Sequence, residues 1–152
     1  MKKSVVLLIG LVYIISVVVV GVVGIKMRIY NETIYVNDIE CSIRGYDEPT
    51  KDYEYGGVIY NYYYTIEDCT PNVTFEIQSN VIPSNATNAH VRYYMDKNDN
   101  VTLETNENNN VALVTFKEED SITIHVSAID GGSSKEKLIL LDVYFTSKEL
   151  GN

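Results

Sequence analysis

The sequence predicts an all-β domain, folded as a two-sheet sandwich, behind a single N-terminal transmembrane helix. Three observations carry this reading: an uncharged apolar run at the start, period-2 alternation through most of the remainder, and a length of 152 residues that leaves room for one domain. The chain holds 12 basic and 21 acidic side chains, a formal charge of −9. Its mean hydropathy of −0.06 averages two unlike polymers, an apolar start and an acidic, Asn-rich remainder. A surface of that sign does not neutralise phosphates, which sets nucleic acid aside as a partner.

From Val5 to Ile25 run 21 residues without a charge, interrupted by nothing more polar than Tyr13 and Ser16. At the rise of an α-helix this stretch is about 30 Å long, the thickness of the hydrocarbon core of a bilayer. A secretory signal peptide shares the basic start Lys2-Lys3, but its apolar core is about 7 to 15 residues and ends at a small-x-small cleavage site. Here the core is longer, and Val stands three residues before the glycines Gly21 and Gly24. The sequence therefore favours an uncleaved anchor over 5–25, with 1–4 as a short cytoplasmic N-terminus, 26–152 outside, and a cleaved, secreted domain as the alternative. Lys26 and Arg28 oppose Lys2 and Lys3 across the span, and the reading adopted is N-terminus inside. A short connection from Lys26 to about Ile29 would hold the domain close to its membrane.

Without Lys2 and Lys3, ten basic residues face 21 acidic ones after the anchor, about −11 in formal charge. Alternating segments bounded by Asn, Asp, Gly and Pro predict strands near Ile29–Val36, Val58–Ile66, Val73–Ser79, His90–Met95, Asn100–Glu104, Val111–Lys117, Ser121–Ile129 and Lys137–Phe145. The clearest is Ser121–Ile129, where Ile122, Ile124, Val126 and Ala128 share one face while Thr123, His125 and Ser127 share the other. Between it and the last strand, Asp130-Gly131-Gly132-Ser133-Ser134 predicts a tight hairpin. Eight short strands in about 120 residues predict a sandwich.

Residues 73–145 add a resemblance. Pro83, Ala86, Thr87 and Val91 are spaced as in the P-x-x-A-T-x-x-x-V turn of bacterial immunoglobulin-like domains of group 2. Ile122-Thr123-Ile124, Asp130-Gly131 and Val143 are similar to that family's closing strands. The chain departs from the pattern at Tyr93, where the family has Trp, at Asn110, where a Gly opens the next strand, and at Glu119-Asp120, where a Gly turns the hairpin. The resemblance implies an immunoglobulin-like β-sandwich on a bacterial cell surface, used in adhesion or as a spacer, without catalytic residues. Residues 37–71 precede the matching part and read as a Tyr-rich elaboration of it.

Cys41 and Cys69 are the only cysteines. In a domain outside the membrane they are the natural pair for one disulfide, which across about 30 residues stabilises by roughly 3 to 4 kcal/mol; two unpaired thiols are the other reading. Between them, Tyr60, Tyr62 and Tyr64 alternate with Asn61 and Tyr63. Tyrosines at this density either fill a core or form a binding face for a protein or glycan surface, since the ring is large, amphipathic and cheap to immobilise. Tyr60, Tyr62, Tyr63 and Tyr64 are the candidate contact residues.

Other motifs are weaker. Asp96, Asn98, Asn100 and Glu107 imitate a calcium loop, but Val101 stands where that loop requires Gly, so an Asx-rich turn is expected. Sequons at Asn31, Asn72, Asn85 and Asn100 are turn and strand positions in a bacterial protein. His90 and His125 are isolated, and Glu118-Glu119-Asp120 falls in a turn. The sequence points to no metal, no cofactor and no enzymatic motif. Two functions stand: a membrane-anchored adhesion-like module that binds a surface or protein partner, and a structural accessory subunit of an envelope complex.

Overall fold

The computed structural model describes residues 3–30, 32–130 and 136–146. It divides into two compact units, 1–33 and 34–152, each taken by itself. In the first, helix α1 spans Lys3–Tyr30. Its Lys3–Gly24 portion is long and apolar enough to cross a membrane, and none of that portion is buried within the molecule. Ser16 fits this apolar surface because its hydroxyl donates to the Val12 carbonyl 2.9 Å away, one turn back.

The second unit is a β-sandwich, as the sequence predicts. Its strands are β1 Asp38–Ile43, β2 Thr50–Tyr55, β3 Val58–Cys69, β4 Val73–Ile82, β5 Val91–Met95, β6 Val101–Asn106, β7 Val111–Phe116, β8 Asp120–Ala128 and β9 Lys137–Phe145. One sheet has the order β1-β4-β7-β6 and the other β2-β3-β9-β8-β5. Every pairing is antiparallel except β3 with β9, which runs parallel. Alternating strands from both sheets send Ile39, Phe75, Ile77, Phe116, Ile124, Ile139 and Leu141 into one core. Phe75 and Phe116 meet edge to face at 5.7 Å. The alternation expected of β8 holds: Ile122, Ile124 and Val126 are buried, and Thr123, His125 and Ser127 lie on the outer face.

Three expectations are corrected. The strand placed at Ile29–Val36 does not form, and the proposed connection at Lys26–Ile29 is helical. Once a helix is nucleated each further residue adds a hydrogen bond, so α1 continues past the apolar run to Tyr30. Residues 34–37 are instead pinned individually to the sandwich. Ile34 and Thr87 exchange two bonds of 2.8 Å, Val36 N–H donates to Asp130 at 2.5 Å, and Asn37 N–H donates to the Ile82 carbonyl at 2.7 Å. Residues 37–71 are no appendage either. They supply β1 to one sheet and β3 to the other, so removing them would open both. The Gly131–Ser134 turn lies outside the described residues, although β8 and β9 pair as a hairpin requires.

Candidate functional site

The Tyr-rich strand β3 joins the two sheets along one side of the sandwich. Arg44 N–H bonds the Glu76 carbonyl at 2.9 Å, in register with the Ile43–Ile77 pairing. Even-numbered residues of β1 therefore bond to β4, while Ile39, Cys41 and Ile43 turn their backbone groups toward the open edge of the sheet. Two hydroxyls from the opposite sheet meet that edge. Tyr62 donates to the Ile39 carbonyl at 3.2 Å, and Tyr64 accepts from the Ile43 N–H at 3.3 Å.

Tyr62 and Tyr64 are thus buried, and burial raises both phenol pKa values. The sequence reading put them in a contact face; the structure puts them in the core, because alternation aims them at β1. Tyr60 and Tyr63 are half-buried. Tyr63 is on the outer face, where its hydroxyl donates to Asp142 at 2.9 Å and accepts from Thr65 at 2.7 Å. Ser121 donates to the other oxygen of Asp142.

Beside it, Tyr53 stacks on Tyr63 with ring centroids 4.2 Å apart and planes 13° apart. Strict alternation would give Tyr53 the inner face of its partner Tyr60. Asp52 intervenes with a φ of +53°, a left-handed residue that breaks the period and turns Tyr53 outward. A second aromatic pair occupies the far side of the same sheet face, Tyr94 on His125 at 4.5 Å and 15°. Glu136 receives the Tyr94 hydroxyl and lies 3.1 Å from His125 Nδ1; that hydrogen bond raises the Tyr94 pKa. The sequence reading missed Tyr53, Tyr94 and His125 as a set, since they come from separate strands that only the sheet order aligns.

The Cys41–Cys69 bridge expected from the sequence is not formed, and both residues are buried thiols. Cys41 sits beside Ser79, Sγ to Oγ 3.3 Å, at the level of Tyr62 and Tyr64. Cys69 follows Tyr64 by five residues on β3, about 16 Å along a strand, whereas a disulfide needs Cα atoms within about 7 Å. Burial pushes the Cys41 thiol from 9.0 up to about 11, against smaller lowering by Ser79 and Lys137. Burial also raises Cys69.

Between β1 and the β2–β3 hairpin runs an open groove of about 550 Å³, lined by Glu40, Asp47, Glu48, Lys51 and Asp52, with Tyr62 and Tyr64 beneath. At one end of it Lys137 pairs with Asp38 at 2.7 Å. The remaining motifs resolve into loop structure. Asn98 accepts the Asn100 N–H at 2.8 Å and donates to Asp120 at 2.8 Å, an Asx turn. Glu119 accepts the Phe145 N–H at 2.8 Å, and His90 Nδ1 lies 2.9 Å from the Glu107 carbonyl. Among the described residues no three His, Cys, Asp or Glu side chains are grouped to hold a metal.

No family model matches the chain, and no curated protein matches it. Among solved structures, the crystal structure of S-layer protein SbsC domains 4 and 5 is similar over 53% of this chain and 46% of that one, with 21% identity and a TM-score of 0.34. This chain thus spans less than half the length of that structure.

Proposed function

We propose that the chain is a single-pass membrane protein that displays a non-catalytic, immunoglobulin-like β-sandwich outside a bacterial cell and binds a surface or protein partner through it. One juxtaposition carries the reading: an apolar helix of membrane-spanning length is followed, after residues 31–33, by a sandwich whose outer sheet face bears the Tyr53–Tyr63 and Tyr94–His125 stacks. Paired planar rings beside a carboxylate suit a glycan or the side chains of a protein, where rigid aromatics contribute contact area at small entropic cost.

Kinship with bacterial immunoglobulin-like domains of group 2 is part of the proposal. It is supported where the chain departs from that pattern. Asn110 has a φ of +54°, so it adopts the backbone conformation for which Gly is the usual residue. Tyr93 is buried where the family has Trp and donates to the Asn110 carbonyl at 2.5 Å.

The test uses the full chain in lipid nanodiscs as bait against the organism's own envelope fraction and against mammalian glycans and matrix proteins. Capture of a foreign ligand, lost in a folded Tyr53→Ser/Tyr63→Ser variant, is the expected result. Capture of an envelope protein alone favours the accessory-subunit reading, for which the short link between helix and sandwich speaks. Capture unaffected by those substitutions would remove the outer face from the proposal.

A further inference from the structure

We infer that the end of the sandwich at which the chain enters is a lipid-contact surface, made by Ile34, Tyr35 and Ile82 together with the β2–β3 hairpin tip, Tyr55, Val58 and Ile59. The inference rests on the anchored reading above and adds a second contact to it.

The strand directions bring these residues to one end. Ile39 meets Tyr62 and Ile43 meets Tyr64, so β1 and β3 run the same way and begin at the same end. The hairpin turn at Gly56-Gly57 precedes β3 and therefore lies at that end. Strand β4, antiparallel to β1, finishes there at Ile82, opposite Asp38. Ile34, held by Thr87, enters there too.

All six side chains are exposed, Tyr55 at 64% and Ile59 at 59%. Of the ten exposed large hydrophobics between Ile34 and Tyr144, these six share one end. A polar hairpin would have served the turn equally well. Gly56 and Gly57, with φ of +61° and +81°, supply the type I′ geometry by themselves and make no demand on Tyr55, Val58 or Ile59.

Chain length names the occupant. Helix α1 continues six residues past Gly24, a rise of about 9 Å, comparable to one headgroup layer. Four Cα steps then separate Tyr30 from Ile34, at most about 14 Å. The entry end is thus tethered within reach of the interface, where Tyr is favoured for its apolar ring and polar tip. The strongly acidic composition after the helix disfavours anionic headgroups, so the surface fits zwitterionic lipid.

The chain contains no Trp, which permits single-Trp reporters. Full-length Tyr13→Trp, Tyr35→Trp, Tyr55→Trp and Tyr46→Trp variants would each be placed in phosphatidylcholine nanodiscs with and without brominated acyl chains. Tyr46 follows β1 at the opposite end of the sandwich and serves as the distal reference. The expected result is loss of emission at positions 13, 35 and 55 and none at 46. Quenching at 13 with none at 35 or 55 overturns the lipid contact while the anchor stands. Quenching at 35 without 55 also overturns it, because the tether alone accounts for position 35. Absence of quenching at 13 removes the anchored reading and this inference with it. Should Tyr55→Trp fail to unfold cooperatively, Ile59→Trp reports on the same tip.

Discussion

The Tyr64 hydroxyl lies 3.3 Å from the amide nitrogen of Ile43, so a side chain of one sheet occupies the hydrogen-bonding edge of the other. An unpaired edge strand is a template for adding a further strand, and Tyr64 and Tyr62 cover part of that template with their hydroxyls. Phe would fill the same volume and leave the β1 backbone groups bare.

Tyr64→Phe therefore leaves the Ile43 N–H without its partner, at a cost of about 1 to 3 kcal/mol. Tyr62→Phe acts in the same way on the Ile39 carbonyl. Chemical denaturation of the single and double variants checks this. In the double variant, concentration-dependent association through the β1 edge is expected in light scattering.

The cysteines give opposite results under the two sequence readings. With both as buried thiols, a thiol reagent should label neither in the folded protein and both after denaturation without reductant. A bridged pair would label in neither case.

Cys41 also sets an alkaline limit. Its folded pKa of about 11 exceeds the ordinary 9.0, so above pH 9 the unfolded chain loses this proton first. Stability falls as pH rises from about 9 to 11 and levels off beyond, a loss of about 2 to 3 kcal/mol for this group. Cys41→Ser should flatten that part of the pH–stability curve, measured by urea unfolding against the parent.

Ile124 has no solvent exposure, and Ile124→Asp would bury a carboxylate without a partner. A loss of more than about 4 kcal/mol, enough to unfold the domain, is expected by circular dichroism, against about 1 kcal/mol for Ile124→Val.

Asn110 separates backbone from side-chain effects. Its carboxamide accepts the Val91 N–H at 3.0 Å and donates to the Ala89 carbonyl at 2.7 Å, while its φ is positive. Asn110→Gly retains the backbone conformation and loses the two bonds; Asn110→Ala loses both, and should be less stable than Asn110→Gly by about 1 kcal/mol in thermal unfolding.

The strands that alternate cleanly, β7, β8 and β9 above all, were legible in the sequence because one face of each is core. Strand β2 was not: Thr50–Tyr55 is polar and almost wholly exposed, and it exists because β3 offers it a partner across a two-residue turn. The segment 29–36 alternates but forms no strand, because no neighbour pairs with it and α1 takes its first residues. Periodicity records which side of a segment is dry, and is silent where neither side is.

The sequence by itself determined the apolar helix, the all-β class and the acidity that excludes nucleic acid, because length, period and charge are properties of the chain alone. Only the tertiary structure decided the roles of the tyrosines. Tyr62 faces a bare β1 edge and becomes a cap, whereas Tyr63, one residue on, meets Tyr53 and Asp142 on the outer face. That difference depends on which strand lies opposite and on a left-handed residue at Asp52, long-range pairings that local alternation does not encode. The same holds for Cys41 and Cys69: spacing allowed a bridge, and their separation along the sandwich prevents it.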